Sequence, residues 1–83
     1  MTTIKHYTAT WCGPCKALKP IMQEIAAQNP NVNYQIIDVD QNQADAQVNG
    51  IRSIPVVIVQ KNGIETSRFV GIQPKAVYEQ AIK

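Results

Sequence analysis

Trp11-Cys12-Gly13-Pro14-Cys15 constrains this chain more than any other stretch. It holds both cysteines and the only tryptophan among 83 residues. Two thiols with two residues between them can close a disulfide when the intervening backbone makes one helical turn. If that turn opens a helix, the first sulfur sits among unpaired N–H groups at the positive end of the helix dipole, where a thiolate is favoured. The pattern supports dithiol–disulfide exchange. A structural staple is the weaker reading, because a bridge over so short a loop removes little unfolded-state entropy.

The flanking residues predict a strand entering this stretch and a helix leaving it. Thr2–Thr8 is β-branched and aromatic, with Ile4, His6 and Thr8 on one face and Lys5, Tyr7 and Ala9 on the other. Thr10 to Cys12 is then a loop at the C-terminal end of a strand, where open α/β sheets usually place their chemistry. From Gly13 to Gln28 the apolar spacing becomes helical, through Ala17, Leu18, Ile21, Met22 and Ile25. Pro14 suits a first turn, whereas Pro20 removes an internal hydrogen bond and predicts a kink. Asn29-Pro30-Asn31 ends the helix.

Val32 to Val39 predicts a second strand, and the adjacent Ile36-Ile37 suggests burial on both faces. Strand, helix, strand in this order is a parallel βαβ unit with a right-handed crossover. Asp40 is a candidate N-cap for a short helix over Gln41–Val48, stopped by Asn49-Gly50. Val56 to Gln60 is the strongest strand signal. Asn62-Gly63 predicts a hairpin, with Ile64 to Val70 as its antiparallel return. Pro74 opens a last helix with Val77, Tyr78, Ala81 and Ile82 in one stripe. The expected architecture is α/β, in the order β-α-β-α-β-β-α, with a mixed sheet and helices on its faces.

Composition fits one soluble globular domain, residues 1–83, with 45% apolar residues and 17% charged. The net charge of +2 is small, and its cations are spread from Lys5 to Lys83, so no nucleic-acid footprint is expected. Met1 to His6 has no apolar signal core, and no apolar run approaches a membrane span of about 20 residues. The expectation is a reducing, cytoplasmic setting without membrane contact. There a lone cysteine pair is catalytic or metal-binding more often than structural.

Taken together, these segments resemble the thioredoxin family. Trp11-Cys12-Gly13-Pro14-Cys15-Lys16 matches the family's active-site motif residue for residue. Gly50-Ile51-Arg52-Ser53-Ile54-Pro55 is similar to the loop that carries the family's cis-proline. Lys61-Asn62-Gly63 and Val70-Gly71 resemble its hairpin turn and a late glycine near the active site. The resemblance spans essentially the whole chain and implies a minimal thioredoxin fold with a four-stranded mixed sheet. Two departures stand out. The chain is shorter than a typical member and lacks counterparts of the first strand and helix. The family's buried aspartate, six residues before the first cysteine, is replaced by His6, and its partner lysine falls where Ile36 and Ile37 stand.

The resemblance implies a protein-disulfide reductase acting as an electron carrier. Cys12, expected at an exposed loop edge, attacks a substrate disulfide. Cys15, less exposed, then attacks Cys12 and releases the reduced substrate. Disulfide-containing proteins are the implied substrates, with recycling by thioredoxin reductase or an equivalent donor. The Cys12–Cys15 pair stores both electrons, so no cofactor and no metal are implied, and the expected state is a monomer. Gly13 and Pro14 tune the turn. Trp11 flanks the site as an apolar contact, or else packs in the core.

Ile54, Pro55 and Gly71 are the implied substrate-binding residues. By the resemblance the Ile54–Pro55 bond is cis, setting the Ile54 backbone beside the sulfurs to pair with an extended segment. The plainer readings are a strand-opening proline and a turn glycine. Tyr7 and Ile72 are candidates for the border of the site. His6 is either a proton acceptor for Cys15 or a polar filler on a central strand, the filler being favoured.

Other functions compete. A glutaredoxin-like, glutathione-recycled reductase suits the short chain. Gly-Pro between the cysteines, where glutaredoxins more often carry Pro-Tyr, speaks against it, as does the lack of a Gly-Gly segment after the hairpin. A metal module would need four ligands, and only His6 adds to the two cysteines among the usual soft donors. A binding subunit without turnover is the third possibility.

Overall fold

In the computed structural model, which describes Met1–Lys83, the strand that feeds the cysteine stretch is β1 (Thr2–Thr8). It is followed by α1 (Gly13–Gln28), β2 (Asn33–Asp38), α2 (Gln43–Val48), β3 (Val56–Lys61), β4 (Ile64–Val70) and α3 (Lys75–Ala81). One four-stranded sheet runs in the order β2-β1-β3-β4. β1 pairs parallel with β2 and antiparallel with β3, and β3 pairs antiparallel with β4. The βαβ unit, the hairpin and the mixed sheet are as expected.

Alternation along β1 divides the core. Ile4 faces α1 and joins Leu18, Met22, Ile25, Val57 and Tyr78, all fully buried. Each such side chain withdrawn from water contributes about 1.5–3 kcal/mol. Tyr7 faces the other way and packs with Val56 and Ile58, where its hydroxyl donates to Asp45 Oδ1 of α2 at 2.8 Å. α1 and α3 therefore cover one face and α2 the other. α1 runs as one α-helix through Pro20. Its buried stripe is Cys15, Leu18, Met22 and Ile25, so the helix anchors its first turn by the second cysteine, and Ala17 is exposed.

Two expectations change. β2 is an end strand, and Ile36 is 45% exposed rather than buried. A helix lying over the middle of the sheet leaves that margin open, while Ile37 on the opposite face packs against the Tyr7 cluster. α2 begins at Gln43, not Gln41, and its N-cap is Asn42 without a side-chain bond. The reason is a turn built on Asp38, whose Oδ1 accepts the N–H groups of Asp40 at 2.8 Å and Gln41 at 3.2 Å. The hairpin is of the expected kind, with φ of 54° at Asn62 and 83° at Gly63, both positive as a type I′ turn requires. No helix is long and apolar enough to cross a membrane.

Candidate active site

Cys12 is the N-cap of α1, with an extended backbone at φ −89° and ψ 108°. This places its Sγ over the first turn, where it accepts the Cys15 N–H at 3.2 Å. The two cysteines are joined in a disulfide, with their Cα atoms 5.3 Å apart. The helix N-terminus thus directs a donor at the first sulfur, the arrangement that stabilises a thiolate once the bond opens.

Cys12 is only 5% exposed and Cys15 1%. The expected order holds, but Cys12 does not stand at an exposed edge. Ala9 from the preceding loop packs with both cysteines, and Val39 and Ile54 close around them. Exposure belongs instead to the neighbours Trp11, Gly13 and Pro14. Trp11 is 67% exposed, which removes the core-packing reading. Its indole N–H donates to Asp40 Oδ2 at 2.8 Å, holding the ring beside the pair. Trp11, Val39, Ile51, Arg52 and Ile54 line a shallow recess of about 360 Å³.

The Ile54–Pro55 peptide bond is cis, and Ile54 packs directly on the cysteine cluster. Gly71 joins this corner through its N–H, which donates to the Pro55 carbonyl at 2.8 Å. Its φ is +80°, and a Cβ built there would meet no atom within 4 Å. Open space lies over Gly71, in contact with the proline loop. Tyr7 lies on the opposite face, where alternation along β1 places it, and burial first, then its hydrogen bond to Asp45, push its phenol well above the usual range. Ile72 is 44% exposed and is not among the side chains packed on the cysteines.

His6 is fully buried. Its Nδ1 lies 3.0 Å from the Tyr34 hydroxyl, and its Nε2 is buried without a partner. Burial first, and the charge of Lys19 second, lower its pKa to about 4. The imidazole is therefore neutral near pH 7. His6 and Cys15 line the same recess of about 530 Å³, together with Lys16, Lys19 and Asp38. No group of three or more His, Cys, Asp or Glu side chains is placed to hold a metal ion. Reading the residues alone missed Tyr34 and the Trp11–Asp40 bond. Tyr34 comes into reach because the parallel register sets Ile36 opposite His6 and leaves Tyr34 two residues back on the same face. The alternation marks that face, but the register is a tertiary fact.

The family model described as Thioredoxin matches residues 2–83. A thioredoxin of Chlamydia pneumoniae is 41% identical over 69 residues, covering 83% of this chain and 68% of that protein. Thioredoxin-1 of Saccharomyces cerevisiae is 38% identical over 79 residues, covering 95% of this chain and 76% of the relative. Among solved structures, a thioredoxin from Nicotiana alata superposes with a TM-score of 0.91 at 34% identity, over 98% of this chain and 70% of that one.

Proposed function

The chain belongs to the thioredoxin family, and on that premise we propose that Cys12 is its attacking thiolate and Cys15 its resolving thiol. It is a thiol–disulfide oxidoreductase, and its similarity to thioredoxins favours this activity over the glutaredoxin-like alternative. The observation that carries the assignment is the Cys15 N–H donating to Cys12 Sγ at the helix N-cap. Cys12 attacks one sulfur of a substrate disulfide, and the other substrate sulfur leaves as a thiolate. The Cys15 thiolate then attacks Cys12; the Cys12–Cys15 bond forms, the mixed disulfide breaks, and the second substrate sulfur leaves and takes a proton from solvent. Two electrons pass from the dithiol to the substrate.

In this reading Trp11, Gly13 and Pro14 form the exposed rim over which substrate approaches. Ile54, Pro55 and Gly71 hold an extended segment of the substrate beside the sulfurs. The close packing of Ile54 on the cysteines and the open space over Gly71 support this. Residues 1–83 act as one domain, a monomeric electron carrier in the cytoplasm. It is recycled by thioredoxin reductase or an equivalent donor and needs no bound cofactor or metal, because the cysteine pair carries both electrons.

The test is insulin reduction with thioredoxin reductase and NADPH, beside trapping with Cys15→Ser. We expect turnover by the unmodified protein and none by Cys12→Ser. Cys15→Ser should accumulate mixed disulfides at Cys12. Mixed disulfides that form at Cys15 in Cys12→Ser, but not at Cys12 in Cys15→Ser, would reverse the roles. Reduction by glutathione alone would restore the glutaredoxin reading.

A further inference from the structure

We propose that Tyr34 is a positioning residue that holds His6 as its Nε2–H tautomer, so that His6 donates a hydrogen bond to the Cys15 sulfur whenever that sulfur is a thiolate. The inference rests on the reading of Cys15 as the resolving thiol. The Tyr34 hydroxyl is 3.0 Å from Nδ1, and one of the two groups must supply the proton. A phenol is the stronger donor, and burial pushes the Tyr34 pKa up to about 12, so it keeps its proton. With Nδ1 accepting, the ring's own proton sits on Nε2.

That N–H is buried and has no partner in the disulfide form. A buried donor left unpaired is costly, and its presence asks for an acceptor. Cys15, 1% exposed, lines the same recess as His6. In a disulfide its sulfur is a weak acceptor; as a thiolate it is a strong one. The bond is made when the disulfide opens and the charge forms, so it favours the reduced state and the resolving nucleophile. The charged groups around this recess are Lys16 and Lys19 from α1 and Asp38 from β2. Lys19 opposes a second proton on the ring. The thiol proton of Cys15 therefore leaves through the recess to solvent, and His6 remains a neutral donor instead of a proton acceptor.

The experiment compares reduction potentials of the full chain, its His6→Leu, His6→Gln and Tyr34→Phe variants, by equilibration with dithiothreitol. It adds ring nitrogen NMR of the unmodified protein in both redox states. Measured across pH 7 to about 10, to span the ordinary thiol value of about 8.5, His6→Leu should lower the equilibrium constant for reduction about tenfold at the alkaline end, where the thiolate is present, equal to about 30 mV towards more negative potential. Tyr34→Phe should shift it in the same direction by less. His6→Gln, which keeps a donor near the position of Nε2, should restore most of the loss. NMR should show Nε2–H in both states, its signal moving on reduction, with no ring titration near pH 6.5. Unchanged potentials in both His6→Leu and Tyr34→Phe, an Nδ1–H tautomer, or titration near pH 6.5 each overturn the proposal. If His6→Leu does not fold, Tyr34→Phe and the NMR of the unmodified chain decide. Insulin reduction by the unmodified protein separates the two claims: its loss removes the parent reading, while turnover with unchanged potentials removes only this one.

Discussion

His6 enters the core without charge, and this has a consequence in acid. Its folded pKa of about 4 lies below the ordinary value of 6.5, because burial and Lys19 oppose the imidazolium. The unfolded chain therefore binds the proton first. Stability from this residue is fully present above pH 6.5 and is lost as pH falls from there towards 4, by about 3 kcal/mol. Urea denaturation at pH 7 and pH 4 should show a loss of that order in the unmodified protein and a clearly smaller one in His6→Gln. Glu65, whose pKa is lowered by its hydrogen bond from Arg68, acts in the same direction, but that pair is on the surface and its effect is screened. It is present in both proteins, so the difference between them isolates His6. A single histidine near a cysteine pair was legible in the sequence. That it is sealed, neutral and bonded to Tyr34 was not, because burial depends on what the sheet pairing and α1 bring over it.

Elements differ in how much of their position a local pattern determines. α1 begins where it was expected, since Cys12 at the N-cap, Pro14 in the first turn and the helical spacing all act within a few residues. The hairpin is equally local, with Gly63 at φ +83° meeting a turn requirement. Gly71 has nearly the same φ, +80°, but lies against the proline loop. This pair of glycines makes a controlled comparison. Gly63→Ala and Gly71→Ala should each cost about 1 kcal/mol, because an L side chain is strained at positive φ. Only Gly71→Ala should also raise KM for insulin, since its methyl enters the space where a substrate segment lies. Denaturation gives the first quantity and steady-state kinetics the second; an unchanged KM in Gly71→Ala would remove Gly71 from the contact surface. β2 and α2 departed from their patterns for non-local reasons. Ile36 is exposed because the sheet stops at β2, and α2 starts late because Asp38 closes a turn ahead of it.

At the scale of the whole molecule, the core is small. A chain of this length has roughly 4–12 kcal/mol of net stability. Leu18 is fully buried between α1 and the sheet, and Leu18→Ala should cost about 2–5 kcal/mol, a large share of that total. Thermal melting followed by circular dichroism should show a drop of ten degrees or more, on the order expected for a domain this small. A drop of only a few degrees would mean that the α1 face can close over the gap. The same thin core explains why the cysteines are buried with Ala9 and Ile54. In so small a molecule the site and the core share side chains, so a change at one is felt at the other.

The chemistry of this protein was set by local sequence: Cys12 and Cys15 at one helical turn, opened by Gly13-Pro14, at the junction of a strand and a helix. The order of elements followed too, because period and turn residues act over a few positions. Tertiary structure decided what surrounds the pair. It sealed Cys12, brought Ile54 onto the sulfurs, tied Gly71 to Pro55, left Trp11 outside on Asp40, and set Tyr34 against His6. The physical reason is that alternation reveals which residues share a face, whereas register, strand order and the reach of a covering helix decide which of them meet.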